Sequence, residues 1–271
     1  MSKRPASPIL RPAQARYLET LRPFRDALVA EMEKYAQEND IPIALPDLGR
    51  LLEALAASRP AGRMLEIGSA IGYGTLRLAR GAREGRIVTI DRDPARIAIA
   101  RQYLETGGVI DRVEFLEGEA LEVLRDVRGP FDLVYIDGDK RDYRRCLDLT
   151  LPLLSVGGMV VVDNLLWKGA IADPKLRAEG DTAAREIERF NPYFMIHPQL
   201  ATALLPLGDG VGVKTPLTIR ELGGPFQSNA ASRPTGARRR SDDSGRNCLA
   251  GAVHLNTGRL EGPMVLVLQA N

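Results

Sequence analysis

Four side chains in the stretch 131–169 offer the most direct chemistry in the sequence: Asp137, Lys140, Asp163 and Asn164. Two short runs rich in Val, Leu, Ile and Tyr, 133–136 and 159–162, each stop abruptly at an acidic residue. Such runs read as buried parallel strands, whose carboxyl ends would deliver Asp137 and the Asp163-Asn164 pair to one edge of a sheet. Two carboxylates and an amide oxygen are hard ligands. They suit Mg²⁺, Mn²⁺ or Ca²⁺ better than zinc, and three protein ligands leave positions for water or substrate. Lys140, three residues after the first carboxylate, would face the same point. The alternative is that these acids are solvated strand ends, as occur in any α/β protein.

The elements that must position them follow from spacing. Between the two strands, 143–154 has helical spacing of apolar residues and Gly157-Gly158 turns the chain back, giving a βαβ unit. Upstream, the strand 64–67 runs into Gly68, Gly72 and Gly74 and then a helix to about Arg80. Glycines at a strand-to-helix turn admit a ligand to the backbone, and the helix start favours a negative group. Gly68 and Gly72 are four apart, which departs from the dinucleotide G-x-G-x-x-G. Glu66 is placed to bind an ammonium group. The strand 87–90 ends in Asp91, where an acid can accept both hydroxyls of a ribose. A helix from Pro94 to Thr106, a strand over 113–116 and a helix after Ala120 continue the alternation, so an open doubly wound α/β sheet is expected, with its ligand at the carboxyl edge.

Ahead of the sheet, 1–14 reads as an irregular basic arm, 14–39 as one long amphipathic helix and 48–57 as a second helix capped by Asp47. These helices could cover the site or a partner in a homodimer. After Gly169 a helix over 182–190, strands over 193–197 and 203–207, the turn Gly208-Asp209-Gly210 and a run over 211–213 are expected. His197 reads as a structural or edge histidine and Cys146 as buried packing. The stretch 227–271 is polar and rich in Ser, Arg and Gly, as disordered tails are. At 271 residues with net charge +2, 44% hydrophobic and 27% charged, the chain is an ordinary globular one, with no composition-level argument for nucleic acid or membrane partners. Without a signal-like or spanning apolar run it reads as cytoplasmic.

The segments MLEIGSAIGYGT, VTIDRDP, GEA, YIDGDK, VVDNLLW and PLGDGV stand in this order. Together they resemble the cation-dependent O-methyltransferases, the class that includes catechol and caffeoyl-coenzyme A O-methyltransferases, over roughly 17–214. The resemblance implies the fold of a class I S-adenosylmethionine-dependent methyltransferase, Rossmann-like, with a seven-stranded sheet whose last strand is antiparallel, preceded by N-terminal helices, in a domain over 15–226. It implies a divalent cation, Mg²⁺ first, on Asp137, Asp163 and Asn164. It also implies S-adenosylmethionine held around Glu66, Gly68, Gly72, Gly74, Thr75, Asp91, Ala120, Asp137 and Asp139. Lys140 matches the lysine beside the reacting hydroxyl, and Trp167 an aromatic wall of the substrate pocket. Two positions depart from the family: Gly74 stands where relatives usually have a serine, whose contact would fall to Thr75 or backbone amides, and Leu48 where plant members usually carry an acid.

The expected reaction is methylation of a catechol-like phenol. Alternatives are a 5-hydroxyuridine in transfer RNA, with Arg4, Arg11, Arg16, Arg22 and Arg25 meeting phosphates, and a binding module without turnover.

Overall fold

Strands β1 (Arg63–Ile67) and β4 (Phe131–Ile136) form the centre of the sheet in the computed structural model, which describes residues 11–21, 26–173, 182–198 and 200–216. Their consecutive apolar residues let each strand bury both faces. Met64, Leu133 and Tyr135 enter one hydrophobic layer; Leu65, Ile67, Val134 and Ile136 enter the other. This is the period-two alternation of a strand covered on two sides. Parallel strands β2 (Arg86–Asp91), β3 (Val113–Glu117) and β5 (Leu154–Val162), with antiparallel β7 (Val211–Pro216) and β6 (Leu200–Leu205), complete a seven-stranded sheet of order β3-β2-β1-β4-β5-β7-β6. That is the doubly wound sheet with an antiparallel last strand implied by the resemblance.

Helices follow in chain order as α1 (Pro12–Thr20), α2 (Ala27–Glu38), α3 (Pro46–Ala57), α4 (Tyr73–Gly81), α5 (Pro94–Thr106), α6 (Ala120–Val123), α7 (Tyr143–Thr150) and α8 (Thr182–Met195). Val29, Met32, Leu48, Leu52, Leu76 and Leu104 bring α2, α3, α4 and α5 onto the first layer. Tyr143, Leu147, Ile187, Phe190 and Phe194 bring α7 and α8 onto the second. Each large apolar side chain so buried contributes roughly 1.5–3 kcal/mol.

The structure corrects several boundaries. The periodic stretch 14–39 is two helices: α1 starts at Pro12, inside the expected arm, and α2 starts after Asp26, whose Oδ1 accepts the Val29 N–H at 2.8 Å. Pro23, between them, has no N–H with which to continue a helix. Helix α3 begins at Pro46 with Leu45 as an N-cap that makes no side-chain hydrogen bond, so Asp47 sits in the first turn instead of capping. Helix α7 stops at Thr150, because Pro152 takes the chain into a 3₁₀ turn, Leu151–Leu153. Strand β5 then starts at Leu154. Gly157-Gly158 lies within it, at an irregularity where Phe131 opposes Leu154 but Leu133 opposes Met159.

The strand expected over 193–197 does not form: 193–195 are the end of α8, and 196–197 follow it outside any strand. Its β-favouring composition loses to helical burial of Ala184, Ile187, Phe190 and Phe194. The chain divides into units spanning Met1–Leu222 and Gly223–Asn271. The expected tail over 227–271, most of the expected basic arm, and Arg4, Arg22 and Arg25 lie outside the described residues. Among the described residues no helix is long and apolar enough to cross a membrane.

Candidate active site

Register alone gathers the site. Ile90, Ile67, Ile136 and Val162 sit side by side at one level of β2, β1, β4 and β5. The next residue on each strand is Asp91, Gly68, Asp137 or Asp163, so these four line one row at the carboxyl edge. Backbone bonds continue the ladder: Gly68 N–H donates to Ile90 O at 2.8 Å, Asp137 N–H to Ile67 O at 2.9 Å, and Asp163 N–H to Ile136 O at 3.2 Å. The row crosses the switch point between β1 and β4, where doubly wound sheets open a crevice. Here the crevice is a cleft of about 440 Å³, within the roughly 300–1,000 Å³ of small-molecule sites.

At the β1 end, Gly68 has φ +95° and a Cβ there would lie 2.5 Å from Asp137 O, so only glycine lets the loop pass this close. Glu66 is 1% exposed. Its Oε2 accepts Thr75 Oγ1 and, at 2.7 Å, Thr89 Oγ1, while Oε1 is buried without a partner. Burial first, and then Asp137 and Asp91, push this carboxyl up to about 7 despite the two hydroxyls. An orphaned buried acceptor lining a cleft is the feature a cationic group would satisfy. Asp91 accepts Ala70 N–H at 2.8 Å through Oδ2 and Asp93 N–H at 3.0 Å through Oδ1. Asp139 lines the cleft, but its carboxylate is taken by Arg141, whose hydrogen bonds hold it down at about 2.

At the β4–β5 end, Asp137 receives Lys140 Nζ at 2.9 Å and the buried Tyr135 hydroxyl at 3.1 Å. Lys140 also donates to Gly138 O at 3.2 Å and lies over the Tyr143 ring at 4.9 Å. It therefore pairs with the first metal-type carboxylate, not with Asp139 or Asp142. Asp163 is 5% exposed, and burial, followed by repulsion from Asp137, pushes its carboxyl well above the usual range. Two carboxylates confined in this way are short of positive charge, and the donor set fits a hard cation. Among the described residues no group of three His, Cys, Asp or Glu side chains forms a metal cluster; the set consists of two acids and the Asn164 amide.

Sequence reasoning missed Asp209 as a site residue. The β6–β7 turn that carries it is zipped to the loop after β5 by Leu165 N–H to Gly210 O at 2.9 Å and Leu166 N–H to Asp209 O at 2.8 Å. Its carboxylate accepts Lys168 N–H and, at 3.4 Å, Asn164 Nδ2, leaving Asn164 Oδ1 for a cation. The sequence signal was the GDG turn, but its partner loop is more than forty positions away. Ala70, Asn164, Trp167 and Lys168 hold φ between 44° and 62° without being glycine, and all four line the cleft. Such positions cost roughly 1–3 kcal/mol each and are kept where the surroundings fix them.

Of the residues singled out from the sequence, Glu66, Gly68, Gly74, Asp91, Ala120, Asp137, Asp139, Lys140, Asp163, Asn164 and Trp167 line the cleft. Gly72 and Thr75 do not. Gly72 takes the left-handed N-cap of α4 against Ala100, and Thr75 is spent on Glu66. Ser69, Tyr73, Arg92, Arg96 and the segment Pro42, Ile43 and Ala44 line it in addition.

Residues 20–215 match the model of the O-methyltransferase family. A catechol O-methyltransferase of Mycobacterium tuberculosis is 39% identical over 163 residues, 59% of this chain and 72% of that protein. One of Niastella koreensis is 30% identical over 195 residues, 70% of this chain and 86% of that protein. The crystal structure of an O-methyltransferase from Bacillus cereus in complex with SAH superposes with a TM-score of 0.67 at 27% identity, covering 76% of this chain and 97% of that one. With sheet order, cleft and matched span in agreement, the chain belongs to the O-methyltransferase family.

Proposed function

We propose that this enzyme methylates one hydroxyl of a catechol-like phenol, using S-adenosylmethionine and a divalent cation. The observation that carries the reading is the shared row: Gly68 and Asp91 on one side, Asp137 and Asp163 on the other, in one cleft. Similarity to catechol O-methyltransferases supports the substrate class, and the SAH-bound neighbour supports the methyl donor.

Glu66 would take the donor's ammonium, and Asp91 its ribose. Asp137, Asp163 and Asn164 would hold the cation, Mg²⁺ first. When bound, S-adenosylmethionine supplies an activated methyl group, and the cation supplies positive charge that favours an ionised phenol. A free phenol near pKa 10 is mostly protonated at neutral pH. Lys140, beside the reacting hydroxyl, would take the phenol proton; Tyr135 and Lys140 together fix the Asp137 carboxylate. Pro42, Ile43, Ala44 and Trp167 exclude water from around the ring and align it, which supplies much of the remaining acceleration. Exposed Tyr17, Leu18 and Leu21 on and after α1 support a homodimer as a further part of the reading. Methyl transfer to catechol, assayed with Mg²⁺ and after EDTA, tests the function; sedimentation velocity tests the dimer.

A further inference from the structure

The charges around the cleft are unevenly matched. Four cationic side chains line it: Arg92, Arg96, Lys140 and Lys168. Arg92 pairs with Glu119 at 3.4 Å, Arg96 with Asp93 at 3.3 Å and Lys140 with Asp137 at 2.9 Å. The Lys168 ammonium makes no ion pair or hydrogen bond among the described residues. Its backbone N–H is donated to Asp209, and its side-chain charge acts on the same carboxylate without touching it. That bond and a left-handed backbone, φ 54°, fix where the side chain leaves the loop. Lys168 Nζ and Lys140 Nζ each lie 5.9 Å from the centroid of the Trp167 ring. One aromatic wall thus has an ammonium engaged by Asp137 and a second ammonium without a hydrogen-bonded or ion-paired partner among the described residues, facing the charge of Asp209 at longer range.

We propose that Lys168 selects vicinal diphenols that also carry a carboxylate. The inference rests on the catechol reading above. A substrate whose hydroxyls meet Asp137, Asp163 and Lys140 and whose ring lies along Trp167 would direct its remaining substituent toward Lys168. A carboxylate there gains a charge-assisted hydrogen bond. Lys168 is exposed, so the gain is that of a solvent-screened pair and weakens with salt.

The test compares 3,4-dihydroxybenzoate with catechol on the full chain, as unaltered protein, Lys168→Met and Lys168→Arg. Steady-state kinetics give KM and kcat. Trp167, the single tryptophan of the chain, gives a fluorescence titration that needs no turnover. Lys168→Met should raise KM and the titrated Kd for the acid by roughly fivefold, leave kcat and both catechol constants unchanged, and be rescued by Lys168→Arg. Equal losses for both compounds would overturn the proposal, since Lys168 would then only offset Asp209 and its acidic neighbours. Failure of the unaltered protein to methylate either compound would instead overturn the catechol reading. The titration would still decide Lys168, because an acid that binds no more tightly than catechol also overturns the proposal.

Discussion

Gly74 and Glu66 meet so closely that a Cβ on residue 74 would lie 2.3 Å from Glu66 Oε1. Glu66 cannot simply swing aside, because Thr75 and Thr89 both hold its other oxygen. A serine at this position is therefore incompatible with this placement of Glu66. Gly74→Ser should weaken S-adenosylmethionine binding by roughly tenfold or more, the effect of overpacking a buried contact. Calorimetry checks this; unchanged affinity would show that Glu66 relocates freely.

Thr75 is fully buried and donates to Glu66. Thr75→Val should remove one of the two donors that favour the ionised carboxyl, moving the pH dependence of cofactor binding toward higher pH. Thr75→Ser should restore it. Loss of the buried bond costs about 1–3 kcal/mol. A uniform loss of affinity with no change in pH profile would mean that Thr75 is packing alone.

Glu66 also ties stability to pH. Its folded value, about 7, exceeds the ordinary 4.5. The contribution is thus fully present below the unfolded value and is lost as pH rises through the folded one. The amount is on the order of 3 kcal/mol. Without ligand, the unfolding free energy of the unaltered protein minus that of Glu66→Gln should fall between about pH 5 and about pH 8. A flat difference across that window would contradict the raised value.

Much of the site was legible because strands buried on two sides leave an unmistakable signal: an apolar run that stops at an acid. Asp91, Asp137 and Asp163 all announce themselves in this way, and register then places them in one row. Helical and strand patterns competed over 193–197, where Tyr193, Phe194 and Ile196 favour strands locally, and the buried spacing of Ile187, Phe190 and Phe194 decides for helix as far as Met195. Asp209 was out of reach for another reason. Its role depends on the β6–β7 turn docking against Leu165 and Leu166, a tertiary contact with no local signature. The approach of Lys140 to Asp137 agrees with their three-residue spacing, and the turn at Gly138, whose carbonyl Lys140 also meets, is what makes it contact.

We propose that methyl transfer resides in 15–226, a span that contains the family match over 20–215. A chain shortened after Phe226 should fold and keep full kcat. Loss of soluble protein or of activity would place a needed element in the remaining residues.

The central claim is that Asp137, Asp163 and Asn164 serve a cation required for transfer to a catechol. The most direct measurement is the rate of methyl transfer from S-adenosylmethionine to catechol with Mg²⁺, with EDTA, and with EDTA followed by excess Mg²⁺, on the unaltered protein and on Asp163→Ala. The account predicts product that vanishes with EDTA, returns with Mg²⁺, and falls by at least roughly a hundredfold in Asp163→Ala. S-adenosylmethionine binding to the variant should persist. Product formed equally well in EDTA, or by Asp163→Ala at near-normal rate, would contradict it.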